Sequence, residues 1–192
     1  MKKICVGMSG ASGAPIAIKL LERLKEIPDT EVHLVMTHGA ELTIEQETGY
    51  SVNEVKALSD FCYGLEEIGE KPASGSFNMD AMIVVPCSMG TLSAICHGSS
   101  HNLLERAADV CLKERRPLVI VPREAPYNQI HLENMTKLSG YGAAIMPASP
   151  GFYSRPRTIE EMVDFFVTRI LDQMGIHEPS ESRWTGMDVC VK

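Results

Sequence analysis

Short β-branched apolar runs alternate with longer stretches of helical periodicity along nearly the whole chain, and no other feature narrows the fold so far. "KICVGMS" (3–9), "EVHLVMT" (31–37), "AMIVVPCS" (81–88), "PLVIVPRE" (117–124) and "AAIMP" (143–147) read as strands. Between them, 14–27 carries Ile16, Leu20, Leu21 and Leu24 at helical spacing, and helices are expected over 39–49, 52–60, 102–116, 128–139 and 159–176. Ser51 with Glu54, and Thr158 with Glu161, have the spacing of capping boxes. Residues 63–78 form the longest irregular segment. Such alternation predicts βαβ units. The expected class is α/β: a Rossmann-like or flavodoxin-like three-layer fold with a parallel sheet of five or six strands. No linker or repeat interrupts it, so residues 1–192 are expected to form a single domain with a short C-terminal tail from about 176.

Composition removes several function classes. Lys and Arg number 18 against 25 Asp and Glu, a formal charge of −7 that disfavours nucleic-acid binding. No run is long and apolar enough for a membrane span or a secretory leader, so a cytoplasmic protein without membrane attachment is expected. Six cysteines show no C-x-x-C spacing and read as free thiols, and no metal-ligand pattern is present.

The turn after the first run, "VGMSGASGAP" (6–15), lies where α/β sheets place their ligands. Gly10 and Gly13 let a ligand approach the backbone, and the Ser12 hydroxyl adds a donor beside a helix N-terminus, which favours phosphate. The spacing is G-x-x-G-x-x-G, and the second strand ends in Thr37 where a dinucleotide site would carry an acidic residue, so NAD is disfavoured. A ligand-free tight turn explains this stretch equally well. A second loop, "PCSMGTL" (86–92), repeats the arrangement with Ser88, Gly90 and Thr91, and two such loops suit one mononucleotide. Helix capping by Ser88 and Thr91 is compatible with that role.

Arg106, Asp109, Lys113 and Arg116 form one stripe on the expected helix 102–116, which on charge alone reads as a solvated face. Arg123 and Glu124 stand at a strand's carboxyl end, where site residues gather. Taken singly, Arg169 reads as a snorkelling arginine, Tyr153 as a packed loop aromatic and Glu47 as surface charge.

Together these segments resemble the UbiX/Pad family of flavin prenyltransferases. "VGMSGASGAP", "ASGSF", "PCSMGTLSAICHG", "NLLERAADVCLKERRPLVIVPRE", "HLENM", "GFYSRP", "RILDQMGI" and "RWTG" occur in family order over nearly the whole chain. The Gly-Ala-Pro start and "IHLENM" look most like members paired with phenolic-acid decarboxylases. The resemblance implies a flavoprotein domain that binds FMN and joins a dimethylallyl group from dimethylallyl monophosphate to reduced FMN across N5 and C6. The product would serve a UbiD-type aromatic-acid decarboxylase, and the enzyme would be a homo-oligomer, a dodecamer in the family, with its site where subunits meet.

Carried over by residue, Gly10, Ala11, Ser12, Thr37, Ser88, Met89, Gly90, Thr91 and Arg123 match flavin-binding positions. Lys113, Tyr153 and Arg169 match the prenyl-phosphate site, with Arg106 beside it, while Glu47, Glu124, Ser12 and Trp184 match further active-site positions. Thr37 stands where serine is usual and keeps the hydroxyl; Gly90 replaces a commonly larger residue, and His101 stands where aspartate is frequent. The chain has no D-D-x-x-D sequence to hold a diphosphate through Mg²⁺, so the resemblance implies a monophosphate held by cations and no required metal. An FMN-binding subunit without chemistry of its own, and a flavoenzyme that decarboxylates or reduces directly, are the competing readings.

Overall fold

The computed structural model describes residues 1–180, 183, 184 and 186. Six strands form one parallel sheet: β1 (Lys2–Met8), β2 (Thr30–Met36), β3 (Phe61–Tyr63), β4 (Ala81–Cys87), β5 (Leu118–Pro122) and β6 (Ala144–Ile145). Their order is β3-β2-β1-β4-β5-β6, so the chain reverses its winding direction at β1 and β4. That reversal opens a crevice at the carboxyl ends of the two strands, the ordinary ligand position of such sheets.

Among the described residues, seven α-helices cover the sheet: α1 (Ala14–Glu26), α2 (His38–Glu47), α3 (Val52–Lys56), α4 (Met89–Cys96), α5 (Leu103–Lys113), α6 (Gln129–Gly140) and α7 (Ile159–Gln173). Side chains alternate between two apolar layers, which is why the strands read as unbroken apolar runs. Ile4, Val6, Val32, Leu34, Ile83 and Val119 pack with α1 and α7, including Leu20, Leu24, Phe166 and Ile170. Cys5, Val35, Met82, Val84 and Ile120 pack on the other side with α4, α5 and α6, including Leu92, Leu104, Cys111 and Leu138.

Differences from the expected elements are local. The segment 63–78 contains the end of a short edge strand, β3, and two single-turn 3₁₀ helices, Lys71–Ala73 and Gly75–Phe77. Alternation could not reveal β3, because His33, Phe61, Tyr63 and Phe77 form an aromatic cluster. There the buried His33 bonds Glu31 Oε1 at 2.8 Å and the Tyr63 hydroxyl at 2.9 Å. Helix α5 ends at Lys113 and Arg115 has φ 55°, so Arg116 leaves the expected stripe and donates to Gly75 O and Asn78 Oδ1. The Ser51–Glu54 capping box is complete. At α7, Thr158 accepts from Glu161 N, but the Glu161 carboxylate accepts from Arg157 N, one residue short of a reciprocal box.

Candidate active site

The crevice is built from three strand-to-helix turns. In the first, Gly10 lies so close to the start of α2 that a Cβ on it would stand 2.9 Å from Gly39 Cα. Two facing glycines are thus what lets the β1–α1 and β2–α2 turns touch. In the second, Thr37 caps α2 by accepting from Ala40 N at 3.2 Å. In the third, Ser88 caps α4, its Oγ accepting from Thr91 N at 3.3 Å and donating to Thr91 Oγ1 at 3.1 Å. The first-turn N–H groups of Met89 and Gly90 have no intrahelical acceptor. A Cβ on Gly90 would meet nothing within 4 Å, so this helix start faces open space.

Ser9 stitches the turns together. It is buried, donates to Pro86 O at 3.1 Å and accepts from Ser88 N at 2.8 Å. Sequence reasoning passed over it, although a lone hydroxyl closing an apolar strand is a visible signal. Arg123 follows β5 beside the same crevice, its N–H bonded to Cys87 O at 3.2 Å. Its exposed side chain has no ion pair among the described residues. Glu124, also exposed, accepts only from the next backbone N–H, Ala125, at 3.1 Å.

Gly13 precedes α1 with φ 126° and has no side chain to cap it. Glu47 does so from the end of α2: Oε2 accepts from Gly13 N at 2.8 Å and Ala14 N at 3.0 Å. Glu47 is half-buried, whereas Glu45 points to solvent, so only the former joins the turn that holds Ser12. The Ser12 hydroxyl has no hydrogen bond among the described residues, and Ala11 is buried beneath it.

Tyr153, Arg169 and Trp184 meet in a second place. With Phe165, Thr168 and Arg183 they line a cavity of about 320 Å³. Tyr153 stands edge-on to Phe165 at 5.3 Å and to Trp184 at 5.7 Å. Arg169 donates one bond, from Nη1 to Asp172 Oδ2 at 2.6 Å.

Arg106 and Lys113 are elsewhere. Arg106 lies on α5 over the 3₁₀ segment, donating to Ala73 O at 3.2 Å and pairing with Asp109 at 2.8 Å. Lys113 pairs with Glu114. Since α5 packs in one apolar layer and α7 in the other, the expected phosphate cations lie on opposite faces of the sheet. Among the described residues no group of three or more His, Cys, Asp or Glu is placed to hold a metal ion, and no helix is long and apolar enough to cross a membrane.

Comparison with known proteins then decides the family. The flavoprotein family model matches residues 1–171. Flavin prenyltransferase LpdB of Lactiplantibacillus plantarum is 49% identical over 186 residues, covering 97% of this chain and 100% of that protein. The chain is a UbiX-like flavin prenyltransferase family member. Among solved structures, the dodecameric FMN-dependent UbiX-like decarboxylase of Escherichia coli O157:H7 superposes with a TM-score of 0.93 at 50% identity, covering 96% of this chain and 100% of that one. AnUbiX (PadA1), solved in complex with FMN and dimethylallyl pyrophosphate, superposes with a TM-score of 0.91 at 44% identity, covering 97% and 99%. The fold of this chain is thus that of the UbiX-like structures over nearly its whole length.

Proposed function

We propose that this chain transfers a dimethylallyl group from dimethylallyl monophosphate to reduced FMN, making prenylated FMN for a UbiD-type aromatic-acid decarboxylase. The observation that carries the reading is the cavity where a largely unspent arginine, a tyrosine hydroxyl and an indole face one another. The cation and hydroxyl suit a departing phosphate, and the aromatic faces suit an allyl fragment gaining positive charge.

The crevice fits the cofactor. The open start of α4 and the unpaired Arg123 supply donors for a phosphate. Gly10, Ala11, Ser12, Thr37, Ser88 to Thr91 and Arg123 are assigned to hold it. When bound, reduced FMN would supply N5 and C6 as the accepting atoms. Around it the chain's residues bind, orient and handle a proton. Arg169, Tyr153 and Lys113 take charge from the allylic oxygen as its carbon–oxygen bond breaks. Glu47, held at the α1 terminus beside Ser12, and Glu124 are the carboxylates assigned to assist proton loss, together with the departing phosphate itself.

One chain cannot bring Lys113 and Arg106 to Arg169, because the sheet separates them. A homo-oligomer, as in the dodecameric relative, would supply Lys113 from a neighbour. The described cysteines are free thiols, which suits a cytoplasmic setting.

The deciding experiment is anaerobic incubation of the protein with reduced FMN and dimethylallyl monophosphate, followed by mass analysis of the flavin. Gain of one isoprene unit supports the reading. Unmodified flavin, together with decarboxylation of phenolic acids by the purified protein, supports a direct flavoenzyme. Unmodified flavin with activation of a decarboxylase by protein contact alone supports a carrier.

A further inference from the structure

Asp172 sits on the last turn of α7 with its carboxylate almost fully buried, 8% exposed, under Arg169, Arg183 and His177. Arg183 grips it with two bonds, Nη1 to Oδ2 at 3.0 Å and Nη2 to Oδ1 at 2.8 Å. Arg169 donates to Oδ2 at 2.6 Å, and His177 Nδ1 lies 3.1 Å from Oδ1.

The two arginines differ in how much of their donor capacity is committed. A guanidinium carries five N–H groups. In Arg183, Nε and Nη2 both also donate to Glu178 O, at 3.1 and 2.8 Å, so nearly the whole fork is spent on Asp172 and the chain beside it. Arg169 spends one donor on Asp172 and has no other acceptor among the described residues. Arg183 is therefore a staple, while Arg169 is a cation fixed at one corner with its remaining donors available. Both line the cavity that holds Tyr153 and Trp184.

The staple has a further effect. The fork fixes Arg183 beside α7, and Trp184 follows Arg183 directly. Trp184 is 56% exposed, and its ring contact is the edge-on one with Tyr153. Little apolar burial holds it there, so its placement depends on the Arg183–Asp172 fork. The fork is charge-assisted and bidentate, the strong form of such a bond. Its grip, followed by those of His177 and Arg169, holds the Asp172 carboxyl down at about 2 despite partial burial.

We propose that Asp172 is the positioning residue of the allylic-phosphate pocket, aiming Arg169 at the phosphate and, through Arg183, docking Trp184 over Tyr153. The inference rests on the flavin-prenyltransferase reading for its substrate, but the docking it describes exists in the free protein and can be read there.

Trp184 is the chain's single tryptophan, so intrinsic fluorescence reports on it alone. The test compares wild type with Asp172→Asn and with Arg183→Met, the latter outside the regular elements. Acrylamide quenching of Trp184 should rise in both variants, without substrate. In presence of oxidised FMN, so that no turnover occurs, the half-saturating concentration of dimethylallyl monophosphate should increase about ten- to hundredfold. The Kd for FMN should stay within about twofold of wild type. The double variant should be no worse than the poorer single one, since both changes break one link. Unchanged quenching in both variants, or loss of FMN affinity equal to the loss of allylic-phosphate affinity, would overturn the proposal. Absence of prenylated flavin from the wild-type reaction would sink the enzymatic reading instead, and the quenching result would still decide whether Asp172 docks the tail.

Discussion

Replacing Gly10 by alanine should damage the crevice from inside the fold. The new Cβ would lie 2.9 Å from Gly39 Cα, 3.1 Å from its carbonyl carbon and 3.4 Å from its oxygen, all backbone atoms that cannot rotate away. Ordinary contact begins near 3.4 Å, so the two turns must part by about 0.5 Å at Gly39 Cα. Overpacking of this kind costs about 1–3 kcal/mol. For a domain of this size each kcal/mol lowers Tm by about 2–4 °C, giving a loss of about 2–12 °C. Because both turns line the proposed flavin crevice, FMN affinity should fall as well. Gly90→Ala is the control, since its Cβ meets nothing within 4 Å. Helix propensity should leave its apo-protein Tm unchanged or slightly raised, with a gain below about 1 kcal/mol. Its FMN affinity should stay near that of wild type, because the new methyl group meets no protein atom and larger residues are common at this position in the family. Scanning calorimetry of the apo-proteins and titration of flavin fluorescence measure both quantities. An unaltered Tm for Gly10→Ala would refute the packing argument, and an equal loss of Tm in Gly90→Ala would refute its assignment to the Gly39 contact.

Glu47→Ala removes a carboxylate from two N–H groups at the start of α1 and should cost about 1–2 kcal/mol, with Glu47→Gln losing less; equal Tm values for both variants and wild type would show that the contact contributes nothing. Burial holds the His33 imidazole below its ordinary pKa, with Glu31 opposing. Below about pH 6.5 the unfolded chain therefore binds the extra proton first, so this contribution is complete above that pH and declines as pH falls through it. A stability difference between wild type and His33→Gln that stays flat from about pH 7.5 to 5 would contradict this. Lys113→Met should impair prenyl transfer more than FMN binding, and mixed oligomers with an inactive Arg123→Ala variant should recover activity; no recovery in demonstrably mixed assemblies would mean that each subunit's site is self-contained. Turnover should survive EDTA, with the phosphate held by Arg169 and Lys113; activity lost to chelator and restored by Mg²⁺ would point to a metal.

The sheet was legible because parallel strands buried on both faces carry runs of apolar residues, as in Ile4–Met8, Val32–Met36 broken by His33, Ala81–Cys87 and Leu118–Pro122. Strand β3 was not, because its side chains serve an aromatic cluster around His33 rather than a layer of aliphatics. The crevice turns were legible in their glycines and hydroxyls. What those residues do to one another was not: Gly10 meets Gly39, and Glu47 caps α1 from 33 or 34 positions away, contacts that no local spacing encodes. The Asp172 fork escaped for the same reason, since Arg183 lies 11 residues beyond it, past the end of the helix.

The sheet tapers at both margins, to three residues in β3 and two in β6. An unpaired strand is a template on which another chain can add by backbone pairing, and these margins offer almost none. Growth by sheet extension, the route to fibres, is thereby closed. Among the described residues, helices and turns are then the surfaces offered to a neighbouring chain, and side-chain contacts there have a geometry that can close into a finite shell. The same economy that protects the newly made monomer from its neighbours steers it toward a bounded assembly.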